Sequence, residues 1–249
     1  MSENYNIFKV LNFKEKETIH SAMIAAIASY NDKSRESFFG MLMRIAEKKA
    51  IGKAFDKKIE FMIKNTIDFN SNKFGHWIKN EAQLWESVNR NTGKVSVNRG
   101  RADIWIGTNR KIWKGTDGKD ETKQYRLIIE NKISAGNQDH QLRRYYRYLT
   151  ETSEKKNHRE FAGLFFLCPI YDDHFKQQAN ESAKTYNNES KKGDETNYAV
   201  ITYKDDIIPW LKEVMKTAKD DFRKVVNDYY ELVVDLVKDR DPNWDDNKE

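Results

Sequence analysis

Glu130-Asn131-Lys132 closes the apolar run Leu127-Ile128-Ile129. On a strand, residues two apart project from one face, so this acid and this base would stand about 7 Å from each other. The spacing alone says little, because Glu-x-Lys occurs five times, at Glu47/Lys49, Glu121/Lys123, Glu130/Lys132, Glu154/Lys156 and Glu189/Lys191. Only the Glu130/Lys132 copy ends a run apolar enough to be buried on both faces. Charged groups in such a place are costly unless they pair or bind an ion. Upstream, Arg101-Ala102-Asp103-Ile104-Trp105-Ile106 alternates, with Asp103 facing one side and Ile104 and Ile106 the other. If that strand is the hairpin neighbour of Tyr125 to Ile133, the Asp103 and Glu130 carboxylates meet across the ladder and can chelate one divalent cation. Oxygen ligands of this kind suit Mg²⁺ or Mn²⁺. The bland alternative is a simple ion pair between Glu130 and Lys132 at a strand end.

The elements that must position these residues follow from periodicity. Asn12 to Tyr30 reads as a helix capped by Asn12, with Ile19, Met23, Ile27 and Tyr30 at helical spacing. Phe38, Phe39, Leu42, Met43 and Ala46 make a second helix after Ser34, and further helices are expected over Ala54 to Ile67 and near Trp77 to Trp85. Short strands are expected at Trp85 to Asn91, Val95 to Asn98 and Arg101 to Gly107, with a return through Lys111 to Trp113 and a polar loop from Gly115 to Lys123. Tyr125 to Ile133 is the expected central strand, followed by a helix over Asn137 to Thr150 and a second buried strand, Phe161 to Cys168, stopped by Pro169. Apolar residues nearly vanish between Gln177 and Asn197, which predicts a mobile surface loop or a poorly packed helix. Tyr198 to Tyr203 is a strand, Asp205 opens a helix through Trp210 and Leu211, and Phe222, Val226, Tyr229, Val233, Leu236 and Val237 form the stripe of a last helix. The expected organisation is one α/β domain over 1–249: a helical part over 1–84, a core over about 85–211 with a mixed central sheet, and a C-terminal helix over 219–240.

Composition bounds the rest. The 249 residues are 38% apolar and 33% charged, with 13 Phe, 12 Tyr and 6 Trp, enough to build a core beneath a very polar surface. No apolar stretch is long enough to span a bilayer and the first ten residues lack the order of a secretory signal, so a cytoplasmic protein without membrane contact is expected. The single cysteine, Cys168, excludes an internal disulfide and a thiolate cluster for zinc. There is no Gly-x-x-x-x-Gly-Lys-Ser/Thr segment, which leaves any motor to a separate subunit. Net charge is +5, but its distribution says more: Arg99 to Arg147 carries twelve basic residues against six acidic, whereas Lys219 to Glu249 carries six against ten. Positive charge gathers on the segment with the candidate chemistry, as a phosphate-binding face requires.

Asp103, a hairpin's worth of chain and then Glu130-Asn131-Lys132 resemble the PD-(D/E)xK, or restriction-endonuclease-like, nuclease superfamily. Gln141-Leu142-Arg143-Arg144-Tyr145 matches the Gln-x-x-x-Tyr element of its RecB-like branch. Glu17-Thr18-Ile19-His20-Ser21 and Ile201-Thr202-Tyr203-Lys204-Asp205 look like features of a bacterial subgroup, and Ala102 stands at the motif's proline position. The resemblance implies a mixed sheet flanked by helices and a metal-dependent phosphodiesterase acting on nucleic acid, DNA foremost, in defence against foreign DNA or in repair. It implies Asp103 and Glu130 as ligands of Mg²⁺ or Mn²⁺. Glu17 would reach the ion directly or through water; alternatively it is a solvated residue of the Lys14-Glu15-Lys16-Glu17 run. Lys132 would position or deprotonate the attacking water, or neutralise the phosphate. Gln141 would bond the water, Lys132 or a phosphate from the helix face it shares with Tyr145, which does the same or merely packs. Arg101, Arg143, Arg144 and Arg147 are the candidate phosphate contacts, unless their run is only an exposed basic face. His20, Trp105 and Trp113 read as packing residues. The competing functions are a nucleic-acid-binding module of the same fold without turnover, and a structural subunit of a larger complex whose acidic C-terminal helix docks on another chain. A homodimer or a partner subunit is compatible with each of these readings.

Overall fold

The computed structural model describes residues 6–48, 76–84, 100–108, 111–114, 120–123, 125–134, 145, 161–188 and 197–246. Three helices come first: α1 (Ile7–Val10), α2 (Glu17–Ser29) and α3 (Asp32–Lys48). The strands β1 (His76–Leu84), β2 (Gly100–Thr108), β3 (Lys111–Lys114), β4 (Asp120–Lys123), β5 (Tyr125–Asn131) and β6 (Phe161–Cys168) follow. Helix α4 (Asp173–Asn188), strand β7 (Asn197–Thr202), a π-helical turn (Tyr203–Ile207), α5 (Ile208–Thr217) and α6 (Asp220–Arg240) complete the order.

The main sheet has the strand order β1-β2-β5-β6-β7. β1, β2 and β5 pair antiparallel, and β5, β6 and β7 pair parallel. A parallel pair cannot be joined by a hairpin; α4 lies in the crossover from β6 to β7. The mixed sheet with flanking helices is a restriction-endonuclease-like α/β fold, as expected.

Side-chain alternation divides the core into two layers. Ile104, Ile106, Leu127, Ile129, Phe165, Leu167, Ala199 and Ile201 face a cluster that takes in Ile24 and Ile27 of α2, Phe38 and Leu42 of α3, Trp210 of α5 and Tyr229 and Val233 of α6. Ile128, Leu164, Phe166, Cys168, Tyr198 and Val200 face a smaller cluster with Tyr145 and with Phe175 and Ala179 of α4. β5 and β6 are thus apolar on both sides, which is why they read from sequence as unbroken runs.

Several expectations are corrected. The segment expected as a helix near Trp77 to Trp85 is β1, a strand paired along its length with β2. Ile78, Ala82 and Leu84 fit a two-residue period as well as Ile78, Ala82 and Trp85 fit a helical one, and pairing with the otherwise open edge of β2 decides between them. The sheet therefore begins within the part expected to be helical. Asp120–Lys123, expected in a polar loop, pairs with Lys111–Lys114 in a separate two-stranded sheet. Asn12 is no helix cap: it sits in a turn at φ 51°, a left-handed conformation that asparagine tolerates, and the helix starts only at Glu17. Of the two alternatives expected for the polar stretch after Gln177, a loop or a helix, the chain takes the helix as far as Asn188, in keeping with the expectation. Before α5 the chain makes the π turn, capped by Thr202 rather than opened by Asp205. The expected helices over Ala54 to Ile67 and Asn137 to Thr150, apart from the helical Tyr145, and the strands Trp85 to Asn91 and Val95 to Asn98 lie outside the described residues.

Candidate active site

The C-terminal end of β5 leaves the core carrying three polar residues in succession. Strand alternation sends Glu130 and Lys132 to the face of Ile128 and Asn131 to the face of Ile129. Glu130 is 1% exposed and Lys132 4%. They pair directly, Lys132 Nζ lying 2.7 Å from Glu130 Oε1. The Tyr145 hydroxyl, also buried, donates to Glu130 Oε2 at 2.5 Å. The Lys132 amide donates to the Leu167 carbonyl at 2.8 Å, which carries the β5–β6 ladder past Asn131 and fixes the backbone under the lysine.

Asp103 comes from β2. The register pairs Trp105 with Ile128 and Ile104 with Ile129, so one step further along the ladder brings Asp103 opposite Glu130 on the same face. The Asn131 amide donates to Asp103 Oδ2 at 2.8 Å. Asp103 is only partly buried by its surroundings and Ser134 is exposed, so solvent reaches this end of the strand. Glu17 arrives from the other layer, in the first turn of α2, where a negative charge favours the helix dipole. Its Oε1 accepts from the amides of Ile133 at 2.8 Å and Ser134 at 3.4 Å.

The electrostatics follow from three acids and one base in a poorly hydrated place. Burial first, and then the charge of Glu130, push the Asp103 carboxyl up to about 8, against the pull of the Asn131 amide and Lys132. Burial also raises Glu130, opposed by the charge and hydrogen bond of Lys132 and by the Tyr145 hydroxyl. Burial lowers Lys132, but the charges of Glu130, Glu17 and Asp103 together outweigh it, and its ammonium is held above the ordinary value. Among the described residues, no three acidic, histidine or cysteine side chains already stand at metal-holding spacing.

The structure thus brings Glu17, Asp103, Glu130, Lys132 and Tyr145 to one strand end. Gln141, Arg143, Arg144 and Arg147 lie outside the described residues, and Arg101 is placed only by its backbone, in β2 opposite Gln83. His20 packs as expected: its Nε2 donates to the Lys14 carbonyl, 2.8 Å away, since a carbonyl can only accept, which leaves Nδ1 to accept from the Tyr229 hydroxyl at 3.1 Å. Tyr145 bonds Glu130 besides packing. Sequence reasoning passed over Asn131, Ser21 and Tyr203. The available signal was a third consecutive polar residue in a strand whose other face is buried, because a buried amide needs partners.

A mixed sheet with two facing carboxylates and a lysine at one strand end defines a restriction-endonuclease-like protein. The family model of the PD-(D/E)XK nuclease superfamily matches residues 5–231, and the chain belongs to that superfamily. No curated protein and no solved structure matches the chain significantly. No helix among the described residues is long and apolar enough to cross a membrane.

Proposed function

We propose that this chain is a divalent-metal-dependent nuclease that hydrolyses phosphodiester bonds of DNA, in defence against foreign DNA or in repair. The observation that carries the proposal is that the β2–β5 register and the Asn131 amide bring Asp103 to the strand end that holds Glu130 and its partner Lys132. The donor set fits a hard cation in kind. It offers carboxylate oxygens and no thiolate, and an Asp103 carboxyl raised by burial and by a second acid is one that a cation would return to its charged form. Asp103 and Glu130 would hold Mg²⁺ or Mn²⁺, with Glu17 reaching it directly or through water. Such an ion, when bound, supplies Lewis-acid stabilisation of the phosphoryl oxygens and a lowered pKa for water.

The remaining work falls to the chain. Lys132, its ammonium paired with Glu130, would position or deprotonate the attacking water, or neutralise the phosphate. Tyr145 fixes one oxygen of Glu130. Gln141, four residues earlier on the same expected helix, would bond the water or a phosphate. Arg101, Arg143, Arg144 and Arg147 would neutralise phosphates along the strand.

The direct Glu130–Lys132 pair also favours a second reading, a nucleic-acid-binding module without turnover, in which the ion pair is an end in itself. Purified protein incubated with plasmid, linear duplex, single-stranded DNA and RNA in Mg²⁺, Mn²⁺ and EDTA separates the two. Cleavage of DNA that EDTA abolishes supports the nuclease. Retained binding without cleavage under every condition supports the module.

A further inference from the structure

We propose that Asn131 is a positioning residue that holds Glu17 at the metal site by clamping the first turn of α2 to the end of β5. The inference rests on the metal-dependent reading above and goes beyond it in assigning Asn131, Ser21 and Tyr203 a task.

Asn131 is fully buried and uses its whole amide. Its Nδ2 donates to the Glu17 carbonyl at 3.1 Å and to Ser21 Oγ at 3.2 Å, and its Oδ1 accepts from the Tyr203 hydroxyl at 3.0 Å. The orientation is fixed by chemistry, since a backbone carbonyl can only accept and the NH₂ must therefore face α2. The helix needs this hold. The residue before it, Lys16, makes no side-chain cap, so the turn that carries Glu17 lacks the usual local fastening.

The carboxylate is fastened just beyond, by the amides of Ile133 and Ser134. Asn131 therefore fixes the main chain of Glu17 while its near neighbours fix the side chain. Because Asn131 lies between Glu130 and Lys132, one short backbone segment sets the distance between the two layers and the site. Tyr203, at the start of the π turn, braces the amide from behind. Residues that orient metal ligands in this way change metal affinity or activity by about 10–100-fold when removed.

The test is Mn²⁺ binding, measured by calorimetry on the folded full-length chain, with MnCl₂ as the probe. Asn131→Leu should weaken Mn²⁺ about 10–100-fold, and the milder Ser21→Ala, which keeps the helix and removes one acceptor, should weaken it by a smaller factor. Neither should weaken it further in a Glu17→Gln background, although both should still lower the melting temperature there. That non-additivity is the signature of action through Glu17. Equal losses of Mn²⁺ affinity with and without the Glu17 carboxylate would overturn the proposal, as would unchanged affinity in Asn131→Leu or in Glu17→Gln. If Asn131→Leu does not fold, Ser21→Ala and Tyr203→Phe carry the same comparison. Asp103→Asn is the control: Mn²⁺ affinity that survives it overturns the metal-site reading itself, and this proposal with it.

Discussion

Asp103 is held where its charge is unwelcome: partly buried, on the face it shares with Glu130, and pushed up to about 8 by burial and by that second acid. A carboxyl so placed costs the fold stability, a cost that the proposed cation would offset. Asp103→Asn keeps an oxygen to accept from the Asn131 amide and removes the charge. In EDTA it should therefore melt higher than the parent, by about 0.5–2 kcal/mol, while losing Mn²⁺ affinity and cleavage. Calorimetric melting beside MnCl₂ titration checks both at once. A variant that melts lower and keeps its affinity would show that Asp103 is a structural acid. That Asp103, Glu130 and Lys132 share one face at one strand end was legible because a two-residue period beside an apolar run leaves little choice of face. Asn131 was not, because its partners Glu17 and Ser21 lie 114 and 110 residues away along the chain.

Between elements, α2 and α6 are joined through His20, whose imidazole bonds Tyr229 and packs edge-on against Tyr203 at 5.3 Å. Burial holds this imidazole down at about 4, against the Lys14 carbonyl, and Tyr203 and Tyr229 are raised well above 10, so the cluster is neutral throughout the ordinary range. The sign of the linkage follows. The unfolded chain binds the proton near pH 6.5 and the folded chain only near 4, so His20 contributes stability that is complete above about 6.5 and is lost as pH falls toward 4. The loss is of the order of 3 kcal/mol, and a His20→Gln variant should show a flatter stability profile in denaturant melts between pH 6.5 and 4. Equal slopes would place the acid sensitivity elsewhere. At this scale the sequence was only partly legible. β5 and β6 were plain because burial on both faces leaves unbroken apolar runs, whereas β1 fits two periods and is settled by its pairing with β2. The start of α2 was misplaced because Asn12 has the residue type of a cap but the backbone of a turn.

For the whole molecule, a net charge of +5 with the excess gathered between Arg99 and Arg147 leads us to predict that nucleic acid is bound chiefly through its phosphates. Affinity for duplex DNA should fall steeply and log-linearly with salt, and charge reversal at Arg143, Arg144 and Arg147 should reduce both affinity and salt slope for all sequences alike, as filter binding over a salt series would read. A changed sequence preference at an unchanged slope would mean that these residues read bases. The superfamily supplies the class; the proposed chemistry rests on the acids, on the lysine paired with Glu130 and on the strand that carries them. The decisive measurement is single-turnover cleavage of DNA in Mg²⁺ by Lys132→Met, scaled to the folded fraction found by melting. Loss of the buried partner of Glu130 should destabilise the fold by about 3 kcal/mol or more, and cleavage per folded molecule should drop by about two to four orders of magnitude. Parental cleavage by a destabilised Lys132→Met protein would contradict the account and leave Lys132 as no more than one half of an ion pair.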